Sequence, residues 1–229
     1  MIDKNIHIIR QKIEDAATKS GRNFSDVKLI AVSKNHTPEN ILKALKSGAN
    51  NFGENKAQEL QRKAVAINGN LIWHFIGHLQ TNKVKYVINS AEYIHSVDSV
   101  KLASEISKRA ANINKTQKIL LEVNTSGEES KFGLQKEEEI FKLADECGAL
   151  DNIELCGLMT MAPYTEDESI IRKSFSGLRE IKEQLNKSGF GITELSMGMT
   201  NDYEIAIDEG STMVRIGTAI FGERNYSSK

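Results

Sequence analysis

Apolar positions along the chain follow two periods in turn. Ile6, Ile9, Ile13 and Ala16 or Ala17 recur at helical spacing and predict an amphipathic first helix that Gly21 closes. The next apolar block, Leu29-Ile30-Ala31-Val32, is short and continuous. It reads as a buried parallel strand over 27–33 that delivers Lys34 to its carboxyl end. Strand-like runs then recur at 50–53, 71–76, 93–97, 118–124, 153–159, 194–197 and 213–216. Between them lie helical periods: one opened by the Thr37 cap with Pro38 at its first position and ended by Gly48, then others over about 55–67, 81–89, 98–112, 136–147, 166–187 and 202–209. Thr165 with Glu168 reads as a capping box for the long helix 166–187, and only a short tail follows the eighth strand.

Eight strands, each followed by a helix or turn, with glycine repeatedly just past the helix end, predict a (β/α)8 TIM barrel formed by residues 1–229 as one α/β domain. The extra N-terminal helix is expected to cap its bottom. The alternative is an open doubly wound sheet, but no GxGxxG follows the first strand.

Composition narrows the function. The chain has 229 residues, 27% of them charged, with a formal net charge of −1, which gives no electrostatic reason to expect nucleic acid as a partner. No apolar run approaches the roughly 20 residues of a membrane helix, and the first residues carry acids rather than a signal core. Cys147 and Cys156 lack metal-ligand spacing and suggest no disulfide framework, which fits a reducing cytoplasm.

Candidate chemistry sits at the strand ends, where ligands bind in parallel α/β folds. Lys34 is either a solvated loop lysine or, if desolvated, a neutral amine able to attack a carbonyl. Ser196-Met197-Gly198-Met199-Thr200 ends strand seven and Arg215-Ile216-Gly217-Thr218 ends strand eight. Both offer hydroxyls and glycines where barrels commonly bind phosphate, or they are simple turns. Arg215 alternates with Val214 and Ile216 and so points into the barrel, toward a structural ion pair with Glu122 or Glu54, or toward a ligand. His74 reads as a packed strand residue, His78 as a rim residue within reach of a ligand, Lys131 as a solvated loop charge, and Glu137 to Glu139 as an exposed helix start.

The segments LIAVSKNHTPENILKALKSGANNFGENKAQE, WHFIGHLQTNKVKYV, SVDSVKLA, LEVNTSGEESKFGL, GLMTMAP, LSMGMTNDYEIAI and VRIGTAIFGER, in this order over nearly the whole chain, resemble the pyridoxal-phosphate homeostasis protein family. The resemblance implies an alanine-racemase-like barrel in which Lys34 holds pyridoxal 5'-phosphate (PLP) as a Schiff base. It implies that Ser196, Gly198, Gly217 and Thr218 bind the phosphate, that Arg215 faces the pyridine nitrogen, and that Asn55 lies near the ring. It further implies a cytoplasmic monomer serving PLP (vitamin B6) homeostasis without robust turnover, with PLP-dependent apoenzymes as recipients. The eight βα units use up the sequence, leaving nothing for the second domain with which alanine racemase closes its site. A PLP-dependent amino-acid racemase and a Schiff-base aldolase for a phosphorylated sugar are the competing readings.

Overall fold

The computed structural model describes residues 1–128 and 131–222. Glu129 and Ser130 of the long loop, and Glu223 and Arg224 of the closing motif, lie outside the described residues. The elements run α1 (Ile2–Lys19), β1 (Lys28–Val32), α2 (Pro38–Lys46), β2 (Asn51–Glu54), α3 (Ala57–Ala66), β3 (Ile72–Phe75), α4 (Val84–Val87), β4 (Ala91–Val97) and α5 (Val100–Ala111). They continue with β5 (Gln117–Glu122), α6 (Glu137–Gly148), β6 (Ile153–Met159), α7 (Glu168–Lys187), β7 (Glu194–Ser196), α8 (Tyr203–Asp208), β8 (Met213–Ile216) and α9 (Thr218–Phe221).

The eight strands are parallel, follow one another in sequence order and close into a barrel, β8 pairing back onto β1 with Ile30 opposite Arg215 and Ala31 opposite Ile216. The expected TIM barrel is therefore the observed fold. Parity sorts the side chains. Ala31, Phe52, Phe75, Ile94, Ile119, Leu121, Leu195, Val214 and Ile216 are buried in the continuous apolar layer between strands and helices. The opposite parity fills the interior, where Ile30, Leu120 and Met213 share space with His74, His95, Ser196 and Arg215. Barrel interiors are ordinarily filled by branched apolar side chains, so this polar content marks the interior as built for something besides packing.

The structure corrects four local expectations. Helix α7 starts at Glu168 and not at 166, because Asp167 is its cap: Asp167 Oδ1 accepts from Ser169 N at 2.9 Å. Thr165 Oγ1 instead accepts from Asp167 N at 3.1 Å, ahead of the helix. A carboxylate at the cap also faces the positive end of the helix dipole, so Asp167 competes better than Thr165. The expected helix over 81–89 shrinks to a 3-10 turn at Thr81–Lys83 and the single turn α4. Within the short tail after β8, Thr218–Phe221 fold as α9.

The fourth correction concerns α1. It does not lie under the barrel floor. It packs in the outer ring against α2, α8 and α9, with Asn5 Nδ2 donating to Ile220 O at 2.9 Å. Its stripe of Ile6, Ile9, Ile13, Ala16 and Ala17 is buried. Helix α9 has only four residues and is too short to cover the seam between β8 and β1, so α1 takes the place of the eighth barrel helix. Each isoleucine buried there contributes about 1.5–3 kcal/mol of transfer free energy.

Candidate functional site

A cavity of about 440 Å³ opens at the carboxyl ends of the strands, within the range of small-molecule sites. Lys34, Asn55, Glu122, Arg215, Gly217 and Thr218 line it. A second cavity, about 430 Å³, is a charged groove on the outside between α1, α7 and α8, remote from the strand ends.

Lys34 is presented by residues clamped on both sides of it. Ser33 faces the helix layer and donates from Oγ to Glu54 Oε1 at 2.6 Å. Lys63 of α3 donates from Nζ to Ser33 O at 2.8 Å, to Glu54 Oε1 at 2.8 Å and to Glu59 Oε1 at 2.7 Å. Glu59 Oε1 also accepts from Asn35 N at 2.7 Å, and Asn35 holds the left-handed φ of 64°. With Ser33 turned outward and Asn35 pinned, alternation sends Lys34 to the cavity side. Burial raises the Glu54 carboxyl despite the Lys63 ammonium. Burial also acts upward on Glu59, but hydrogen bonds from Lys63 and Asn35 outweigh it and leave that group below its ordinary value.

Across the β8–β1 seam Arg215 is buried, donating from Nη1 to Ser196 O at 2.7 Å and Ser196 Oγ at 2.6 Å, and from Nη2 to Thr160 O at 2.8 Å. Burial lowers it to about 10, against the charges of Asp202 and Glu122, so the guanidinium stays cationic at neutral pH. The expected carboxylate partners divide. Glu54 has outward parity and belongs to Lys63, whereas Glu122 faces the same cavity as Arg215 and acts on it through charge. Glu122 is 4% exposed, and burial with the Asp98 charge pushes it up to about 7. Among the described residues its Oε2 has no hydrogen-bond partner, nor has the buried Oδ1 of Asn55. Two enclosed polar atoms therefore belong to residues that line the cavity and find no partner among the described residues, which is the condition of a site made for a polar ligand.

Five of the seven candidate residues, Lys34, Asn55, Arg215, Gly217 and Thr218, line this one cavity. Ser196 does not. It is fully buried beneath the cavity, its hydroxyl engaged by Arg215 and by His95 Nδ1 at 2.9 Å. From the same loop Thr200 reaches the cavity instead, a residue that sequence pattern alone does not single out. Gly198, at φ 94°, lies where an added Cβ would sit 2.6 Å from Ala206 Cβ, so it lets the loop lie on α8. The loop is closed by Asp202 Oδ1 accepting from Met199 N at 2.5 Å. At the opposite rim a Cβ on Gly77 would meet Asn55 O at 2.4 Å, so glycine there lets the Asn55 backbone take its place.

His78 does reach the rim, stacked on Phe132 with centroids 4.1 Å apart. Lys131 is no solvated charge: its Nζ donates to Ala162 O at 2.9 Å and pairs with Glu128 at 3.1 Å, bracing the long loop against the segment after β6. Glu137, Glu138 and Glu139 are the exposed first turn of α6, as expected. Among the described residues no three His, Cys, Asp or Glu side chains converge as a metal site, and no helix is long and apolar enough to cross a membrane. The clamp of Glu54, Glu59 and Lys63 has only one signal in the sequence, the Glu59–Lys63 spacing of four. On a helix that spacing ordinarily means an exposed pair.

Comparison with known proteins places these features. The family model described as alanine racemase, N-terminal domain, matches residues 4–225. A pyridoxal phosphate homeostasis protein of Aquifex aeolicus is 43% identical over 222 residues, covering 95% of this chain and 96% of that protein. PipY of Synechococcus elongatus, solved with PLP bound, is 30% identical with a TM-score of 0.85, covering 97% of this chain and all of that one. An alanine racemase of Clostridium difficile, at 18% identity and a TM-score of 0.76, shares the fold over 57% of its own length.

Proposed function

The chain belongs to the pyridoxal phosphate homeostasis protein family, and on that premise we propose that it binds PLP reversibly on Lys34 and serves intracellular PLP homeostasis. The observation that carries this reading is the meeting of Lys34 and Arg215, from adjacent strands, in one cavity where Asn55 Oδ1 and Glu122 Oε2 are enclosed without partners among the described residues. When bound, PLP supplies an aldehyde carbon open to a neutral amine, a ring nitrogen and a dianionic phosphate.

The residues divide those three demands. The clamp on Ser33 and Asn35 aims Lys34 at the aldehyde position. Gly217, Thr218 and Thr200 form the phosphate end, since the first N–H groups of α9 have no acceptor within the helix and both threonines add hydroxyls. Gly198 shapes that loop, and Ser196 acts through Arg215. Asn55 stands beside the ring. Arg215 can only donate, so it meets an unprotonated ring nitrogen and leaves the ring a weak electron sink. An acidic partner would strengthen that sink. This favours holding the cofactor over turning over amino acids. PLP-dependent apoenzymes are the recipients, and the chain acts as a monomer in the cytoplasm. Two free, buried cysteines whose thiols burial pushes up to about 12 suit a reducing compartment.

The test is an absorbance spectrum of the protein saturated with PLP, before and after borohydride, followed by peptide mapping. The expected result is a yellow protein whose visible band is lost on reduction and whose adduct maps to Lys34. Lys34→Ala is expected to remove the adduct while the phosphate end retains PLP weakly. An adduct at Lys131, or none, overturns the assignment. Sustained exchange of L- and D-amino acids at ordinary enzyme rates overturns the carrier reading.

A further inference from the structure

Five polar side chains cross the barrel interior in one unbroken line. Arg215 Nη1 lies 2.6 Å from Ser196 Oγ, and Ser196 Oγ lies 2.9 Å from His95 Nδ1. His95 Nε2 is 2.9 Å from His74 Nδ1, and His74 Nε2 is 2.9 Å from Asn51 Oδ1. The line runs from β8 through β7, β4 and β3 to β2. Ser196, His95 and His74 are each 0% exposed, whereas Asn51 is half-buried at the start of its strand, where its Nδ2 donates to Asn50 Oδ1 at 2.8 Å.

Only one arrangement of protons satisfies every member. A guanidinium has no acceptor, so Ser196 Oγ accepts from Arg215 and has one hydrogen to give. The Asn51 amide nitrogen is turned to Asn50, so its oxygen faces His74 and accepts. His74 therefore carries its proton on Nε2 and accepts on Nδ1. His95 donates from Nε2 to His74 and accepts on Nδ1 from Ser196. The reverse polarity would set His74 Nε2 and Asn51 Oδ1 acceptor against acceptor and strand the Ser196 hydrogen. Both rings are neutral in this scheme. Burial first, with the Lys28 charge, pushes His74 down to about 3, and burial with His74 and Arg215 pushes His95 well below its ordinary value. Tyr93 lies flat on His74, with centroids 4.9 Å apart and planes 3° apart, which fixes the ring that sets the register of the line.

We propose that Asn51, His74, His95 and Ser196 are positioning residues for Arg215, forming a one-way relay of hydrogen bonds that holds the guanidinium in place for the ring nitrogen of the ligand. Each donation makes the donor's own oxygen or nitrogen a better acceptor, so the line turns a strengthened lone pair of Ser196 toward the cation. The ligand end of this inference rests on the PLP reading; the proton arrangement does not.

The experiment has an arm for each. In the unliganded protein, ¹⁵N spectra of labelled histidine are expected to show Nε2–H on both rings from about pH 8 to about pH 5.5, a span across which a free imidazole titrates. The Arg215 side-chain N–H signals are expected to be slow to exchange, and to be lost in Ser196→Ala and His95→Leu but kept in His95→Gln, whose amide can accept from Ser196 and donate to His74. With PLP bound, the two broken variants are expected to release it about tenfold faster, since a hydrogen bond to a charged group is worth about that factor, and to shift the visible band. His95→Gln is expected to restore both. A Nδ1–H tautomer or a titrating ring overturns the relay. Wild-type Arg215 exchange, band and release in Ser196→Ala overturn the positioning role, and Ser196→Ala decides the matter if His95→Leu fails to fold. A wild-type protein that takes up no PLP refutes the cofactor reading alone, and the Arg215 exchange rates then decide for or against the relay.

Discussion

Lys63→Met removes the ammonium on which the Lys34 turn is hung. The side chain is 7% exposed and touches Glu54, itself 0% exposed, and Glu59. Removing one partner of a buried ion pair costs about 3–5 kcal/mol, because the other charge is left enclosed. A second route gives a similar figure. Glu54 in the variant must take up a proton, and doing so at about pH 7 against its ordinary value of 4.5 adds at most about 3.4 kcal/mol at 1.36 kcal/mol per pKa unit, a ceiling because burial already raises Glu54 in the parent. The two agree, and the second adds a sign. A carboxyl whose folded pKa lies above its unfolded value is most favourable below about 4.5 and loses stability as pH rises. The defect is therefore expected to shrink from about 3–5 kcal/mol at pH 7 to roughly 2 kcal/mol at pH 5, the residue being the lost hydrogen bond to Ser33 O. Urea unfolding of the parent and variant at both pH values measures this. Lys63→Met with Glu54→Gln is expected to recover most of the loss, since no enclosed charge then remains at Glu54. A single variant within about 1 kcal/mol of the parent at pH 7, or a defect that does not shrink at pH 5, refutes the reasoning.

Three further outcomes are expected. Glu122 is raised to about 7, so its ionisation removes stability as pH climbs from about 4.5 to 7, and Glu122→Gln is expected to flatten the denaturation midpoint over that window by about 2–3 kcal/mol. Asp167→Ala is expected to lower the thermal midpoint more than Thr165→Ala does, the order a Thr165 cap would reverse. Gly77→Ala places a methyl group 2.4 Å from Asn55 O and is expected to cost about 1–3 kcal/mol and to weaken PLP retention in a dialysis assay.

What is legible in the sequence follows a physical rule. Period and turn chemistry are local, so β6 and β8 fall where the apolar runs place them, and Gly48 ends α2 as expected. Parity is local too, and it alone suffices to turn Arg215 inward. Competition between neighbours is not resolved by pattern: Thr165 and Asp167 both offer a cap, and the carboxylate wins. Contacts between distant strands leave no local trace. Ser196 and Thr200 are equally plausible hydroxyls in one loop, and only the barrel's closure shows that the first lies below the cavity and the second beside it. The Glu54, Glu59 and Lys63 cluster is invisible for the same reason, since Ser33 joins it from another strand.

The first helix fills the gap beside the last strand, and this ties the order of synthesis to the order of assembly. Residues 2–19 precede all eight strands and dock against α8 and α9, which follow β7 and β8. Until α8 and α9 leave the ribosome its isoleucine stripe has only part of its covering, so a nascent chain must carry wet apolar surface while the intervening strands are made. Such long-range contacts slow folding, and an unsealed eight-stranded ring exposes two strand edges to neighbours. A chaperone that shields this one helix during synthesis would guard the whole barrel.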